Sequence, residues 1–170
     1  LTLGHPVGDL ALADEGRYAI AAGGDRMSMV DLASGKVQAR SATVPDARQV
    51  VLTSRFAYAI GADESAATLW ALADLRAGRV QPAQVMLGTA RSRDGDTQRL
   101  RRAVVAPGGA GLLVAHRADQ LVYQYSEGMM APIGSYSNYR RTPLAVGLLD
   151  LAPREVAPGR YEVPVRYDVG

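Results

Sequence analysis

The heptapeptide "DLASGKV" at Asp31–Val37 returns 43 residues later as "DLRAGRV" at Asp74–Val80, with Asp, Leu, Gly, a basic residue and Val at matching offsets. Self-similarity at such a period limits the fold to repeated supersecondary units that bury their faces against one another. A second pair lies upstream. "GRYAIAAGG" from Gly16 answers "SRFAYAIGA" from Ser54, placing Arg17 over Arg55, Tyr18 over Phe56 and Gly23 over Gly61. A fainter third copy, "GLLVAHRADQLVYQYSEGMM" from Gly111, sets Gly128 where the others carry Gly35 and Gly78, and aligns His116 with Ala22 and Ile60.

Each copy reads as strands joined by hairpins. "RYAIAA" and "RFAYAI" are β-rich runs, "GGDR" is a tight-turn signal, "MSMVDL" is a further strand, and "ASGK" is a turn with Gly where positive φ is needed. The remaining strand of each unit is an apolar run before the hairpin: "DLALA", "QVVLT" and "AVVAPGG". No segment sustains a helical period with caps, which disfavours a parallel α/β fold. The expectation is an all-β chain with three propeller blades over 1–130, at about 5–44, 45–90 and 96–130. In these blades Trp70 and Met27 are expected to pack the core.

The Pro-led strand, the Asp/Gly turns and the "D-L-x-x-G-basic-V" of both copies resemble the YVTN-type propeller repeats, relatives of the propeller that carries d-type haem in cytochrome cd nitrite reductases. The resemblance covers residues 1–130, rests on the repeat and implies a fold more than an activity. Three blades form only a partial ring, since propellers have four to eight, so the lateral faces are expected to meet remaining propeller blades or a protein partner. On this reading the chain, which starts at Leu1, is the C-terminal part of a longer propeller.

Beyond a connecting loop at 131–143, the texture of 144–170 changes. Leu144, Val146 and Leu148 alternate, "APREVAPG" reads as a Pro/Gly-bounded turn, and Tyr161, Val163, Val165 and Tyr167 alternate again. The phrase "PGRYEVPVRYDVG" resembles strands of small Ig-like domains, so 144–170 is expected to start an Ig-like β domain or to supply final propeller strands.

Chemistry is sparse. With no cysteine there is no disulfide, thiolate metal site or Cys nucleophile. The two histidines, His5 and His116, are far apart and form no metal-ligand pair, and no Ser-His-Asp set can be assigned, so no catalytic or metal residues are predicted. The net charge is only +2, and the Arg-rich run Arg91–Arg102 includes Asp94 and Asp96 without aromatic residues, which argues against nucleic-acid binding. Asp94, Gly95 and Asp96 begin like a calcium loop but lack its Gly and its final Glu, and "PGGAG" lacks the features of a phosphate loop. The carboxylate pairs Asp14/Glu15 and Asp63/Glu64 fall in predicted turns and are expected to face water. No apolar run reaches the ~20 residues of a membrane helix, so no membrane insertion is expected.

The stretch "YQYSEGMMAPIGSYSNYRRTP" from Tyr123 divides in two. Its first part ends blade three, with Met129 and Met130 beginning an outer strand. Its second part exposes Tyr136, Asn138, Tyr139, Arg140 and Arg141, residue types that recognition surfaces favour, beside prolines that equally suit a stiff linker. The leading functional expectation is a non-catalytic binding or scaffold module of the bacterial envelope, periplasmic or extracellular, contacting its partner through these residues. No cofactor belongs to that reading. The alternative implied by the resemblance is a redox module whose complete propeller binds d-type haem, with His116 as the candidate ligand.

Overall fold

The computed structural model describes residues 1–89, 100–127, 129, 131–149 and 153–163. The sequence expectations for Asp94–Asp96, most of the Arg91–Arg102 run, Gly128, Met130, Val165 and Tyr167 lie outside the described residues.

The first six strands form one antiparallel sheet in sequence order: β1 (Asp9–Ala13), β2 (Tyr18–Asp31), β3 (Lys36–Leu52), β4 (Phe56–Gly61), β5 (Ala66–Ala71) and β6 (Ala83–Met86). Four more, β7 (Ala103–Val105), β8 (Gly111–His116), β9 (Leu121–Ser126) and β10 (Gly134–Ser137), form a second antiparallel sheet in sequence order. A separate hairpin pairs β11 (Arg154–Ala157) with β12 (Arg160–Glu162).

Two of these strands are longer than they are straight. An extended β2 would span about 45 Å, yet the Leu32 amide donates to the Arg17 carbonyl at 3.0 Å. The segment therefore doubles back at "GGDR", as its turn signal predicts, and gives two arms of a hairpin. The first half of β3 pairs with the second arm of β2, while its second half pairs with β4, and Ala47 faces both Gly24 and Gly61. This strand closes one unit and opens the next. The result is three units of four antiparallel strands, the blades foreseen from the repeat.

The Leu72 amide donates to Arg55 and the Glu127 amide to Ala110, as Leu32 does to Arg17. These three bonds fix the structural equivalences and move the motif. Leu72, not Leu75, stands where Leu32 stands, because a one-turn helix α1 (Leu72–Arg76) intervenes before the second "AG" turn. Gly35 (φ 66°) and Gly78 (φ 70°) nevertheless both adopt the left-handed conformation that ends the motif. Counting up the second strand of each blade aligns His116 with Gly23 and Gly61 rather than with Ala22 and Ile60.

Two apolar layers lie between the blades. Ile20, Ala22, Met27, Met29, Val50, Trp70, Leu72 and Leu75 fill the first, and Val51, Tyr58, Ile60, Leu69, Val85, Leu112, Val114 and Tyr125 the second. Trp70 and Met27 are core residues as expected, at 1% and 0% exposure. The inner strands are also latched by side chains. Asp9 Oδ2 accepts the Val50 amide at 3.0 Å, and the equivalent Gln49 Oε1 accepts the amides of Arg102 (2.9 Å) and Ala103 (3.1 Å).

Past the blades the sequence reading is revised. Residues 144–149 form no strand, although the Val146 amide reaches the Arg101 carbonyl at 3.0 Å. The segment read as a turn, "APREVAPG", supplies β11, and the turn proper is Pro158–Gly159. Met129 is exposed and outside any strand, so the outer strand of blade three is β10 instead.

Candidate partner-binding surface

The residues picked from sequence for partner contact occupy the far edge of blade three. Tyr136 lies in β10 opposite Val122, its hydroxyl donating to Gln124 Oε1 at 2.6 Å. The chain then turns: the Arg141 amide donates to the Asn138 carbonyl at 2.8 Å, with Tyr139 at φ 50° and Arg140 at φ 61°. Positive φ at both central positions is the signature of a type I′ turn, which favours Asn and Gly, whereas Tyr and Arg are strained there. Tyr139 is 91% exposed. The turn thus holds an aromatic ring and two guanidinium-bearing residues, Arg140 and Arg141, in solvent at a conformational cost, and such strain clusters at binding sites.

His116, the candidate cofactor ligand, is fully buried. Its Nδ1 lies 3.1 Å from the Asp119 carboxylate and its ring 5.8 Å from Tyr123, while Nε2 has no hydrogen-bond partner among the described residues. The ring fits where other blades have glycine because the linker after blade two supplies Gly88 (φ 146°), whose missing Cβ would lie 2.7 Å from Nε2. Burial pushes the Asp119 carboxyl up, but Thr89, Tyr123 and His116 outweigh that and hold it below its ordinary value. The imidazole is thus enclosed, with the Gly88 segment packed beside Nε2. Distant from it, His5 Nε2 lies 2.9 Å from Ser28 Oγ.

Two carboxylates that the sequence did not single out for burial carry the junction of blades two and three. Glu64, in the β4–β5 turn, is 2% exposed and takes φ 63°. Its carboxylate accepts from Arg102 and, at 2.7 Å, from Arg117 Nε, both of blade three. The expectation that it faces water is therefore corrected. At the opposite end Glu127 accepts from Ser54 Oγ (3.1 Å), the Arg55 amide (3.0 Å) and Arg55 Nε (2.7 Å), all of blade two. Burial pushes the Glu127 carboxyl up, but the Thr53, Arg55 and Ser54 hydrogen bonds prevail and lower it to about 2. Asp14, of the other carboxylate pair, is ion-paired with Arg76 of α1. Among the described residues no group of three or more His, Asp or Glu side chains could hold a metal.

A cleft of about 390 Å³ opens on blade one, lined by Leu3, Gly4, His5, Arg26, Met27, Ser28, Arg40 and Ser41. It sits at the same end of the blades as the Glu64 cluster, where second and third strands turn and chain enters each blade.

No family model matches the sequence, nor does any curated protein. Solved structures do. The chain is similar to a chain of the mitotic checkpoint complex (12% identity, TM-score 0.59), covering 81% of this chain and 39% of that one. It is similar to hydrazine synthase of Kuenenia stuttgartiensis (15%, TM-score 0.59), over 81% and 38% of the two chains. It is also similar to BamB from Moraxella catarrhalis (11%, TM-score 0.58), over 77% and 37%. The chain spans about two fifths of the length of these structures, and at such identities the likeness speaks for fold alone. These neighbours are β-propellers, and the chain carries three blades of that fold.

Proposed function

We propose that this chain is an arc of a larger β-propeller and acts as a non-catalytic binding module, its open flank covered by further blades and its Tyr139–Arg141 turn contacting a protein partner. The observation that carries the reading is the flank of blade one. Leu10 and Leu12 point outward from the inner strand β1 at 52% and 58% exposure, whereas their equivalents on blade two, Val50 and Leu52, pack against blade one. An apolar face alternating along a strand is built to be covered. Since three blades match about two fifths of the neighbouring chains, the complete ring has roughly seven or eight. The repeated "D-L-x-x-G-basic-V" supports a YVTN-type propeller. The β11–β12 hairpin, exposed along both strands, is marginal alone and is read as the start of an Ig-like sandwich.

The test uses the 170-residue chain in sedimentation velocity and hydrophobic-dye binding. Concentration-dependent association with dye binding is expected, both reduced by Leu10→Asn with Leu12→Asn. A monomer that binds no dye and unfolds cooperatively would contradict the reading.

A further inference from the structure

The open flank of blade one has a charged corner. Arg26 pairs in register with Ala42, and Arg40 with Ser28, so the two arginines lie diagonally across neighbouring strands on one face. By the alternation of side chains this is the face that also carries Leu10 and Leu12. Both line the cleft and both are exposed. The acid nearest Arg26 is its own neighbour Asp25, at 3.8 Å. Arg40 has no carboxylate partner among the described residues. The other polar groups of the cleft are engaged: Ser28 Oγ by His5 Nε2 at 2.9 Å, and Ser41 Oγ by the Trp70 indole N–H at 2.9 Å while it donates to the Ala42 carbonyl at 2.8 Å. Two like charges side by side thus stand over a floor whose hydrogen bonds are complete.

At the same end of the next junction but one a carboxylate joins two arginines, Arg102 and Arg117, which stand where blade one has Asp9 and Gly24. There the turn between second and third strands of blade two sends Glu64 into blade three, where one carboxylate takes Arg102 and Arg117 together. We infer that the Arg26/Arg40 cleft is a socket for an acidic side chain carried by the adjoining β-sheet, one carboxylate between two arginines as at Glu64. The inference rests on the proposal that the flank is covered, and it names the chemistry of what covers it. A carboxylate there would neutralise the diagonal arginine pair, and the apolar surface of Leu10 and Leu12 would be buried by the same sheet.

The chain carries its own reporter, because its single tryptophan, Trp70, bonds to Ser41 on the cleft wall. The 170-residue chain is titrated with N-acetyl-diglutamate amide while Trp70 emission is followed. A saturable change is expected that fades with added salt. Arg40→Gln and Arg26→Gln each weaken it by about tenfold or more, the worth of one charge-assisted hydrogen bond. Arg79→Gln, which removes an exposed pair with Asp74 elsewhere, leaves it unchanged. Arg40→Glu reverses the preference toward N-acetyl-dilysine amide. No saturable response, or equal binding by Arg40→Gln, overturns the socket. Dipeptide binding by the unsubstituted chain, if that chain neither self-associates nor binds dye, would retain the socket and reject the covered flank.

Discussion

The junction between blades one and two and the junction between blades two and three are built from the same strand positions but differ in what fills them. The first is an apolar layer of Met27, Met29, Trp70 and Leu75, backed by helix α1, with surface ion pairs such as Arg76–Asp14 at its margin. The second has a comparable apolar layer but is bolted at both ends by buried carboxylates, Glu64 at one and Glu127 at the other. Apolar contact carries no titrating group, whereas removing one partner of a buried carboxylate–arginine pair is strongly destabilising. One fold thus uses volume to hold one pair of blades and charge to register the other.

Glu64→Ala is the sharpest way to break that contrast. It leaves the Arg102 and Arg117 guanidiniums buried beside an empty site, and a loss of about 3–5 kcal/mol is expected in urea unfolding. A loss under about 1 kcal/mol would mean the cluster is solvated like a surface pair. Leu75→Ala, in the first junction, is expected to cost about 2–5 kcal/mol by cavity formation. Its cost should not change with pH, so pH dependence would undo the distinction between the junctions.

Glu127 adds a pH signature to the second junction alone. Its folded-state pKa of about 2 lies below the ordinary 4.5, so its contribution is fully present above about pH 4.5 and is lost as pH falls through 2. With Arg55 largely in solvent, that contribution is about 1–2 kcal/mol. Glu127→Gln should therefore lower stability at neutral pH and flatten the acid limb between pH 4.5 and 2, measured by thermal unfolding across that range. The smallest effect belongs to the edge beyond both junctions. Tyr139→Gly relieves the positive φ and should raise stability by about 0.5–1 kcal/mol while weakening partner binding. A gain in stability with unchanged affinity would leave the turn without a role in recognition.

The blades were legible because their signals are local. "GGDR", "ASGK" and the β-rich runs around them mark hairpins whatever the neighbours do, and the repeat of Arg17/Arg55 with Tyr18/Phe56 set the spacing. Helix α1 was hidden inside the repeat itself, because "DLRAG" matches "DLASG" letter for letter at the key positions while a helical turn displaces it. That displacement also explains why Trp70 and Met27, matched by the motif, share a core without sharing a position. The buried carboxylates were not legible, because Glu64 meets arginines 38 and 53 residues away and Glu127 meets Arg55 at a separation of 72. Nothing near either glutamate announces those partners. Exposure of Tyr139 and its arginines could be anticipated from residue type, but the left-handed backbone that displays them could not.

Hydrogen exchange resolved by strand tests the central claim most directly, since blade two is covered on both faces while blade one is covered on one. The account predicts the slowest amides in β4 and β5 and markedly faster exchange in β1, whose outward face holds Leu10 and Leu12. Protection in β1 equal to that in β4 would contradict an arc with an open first flank.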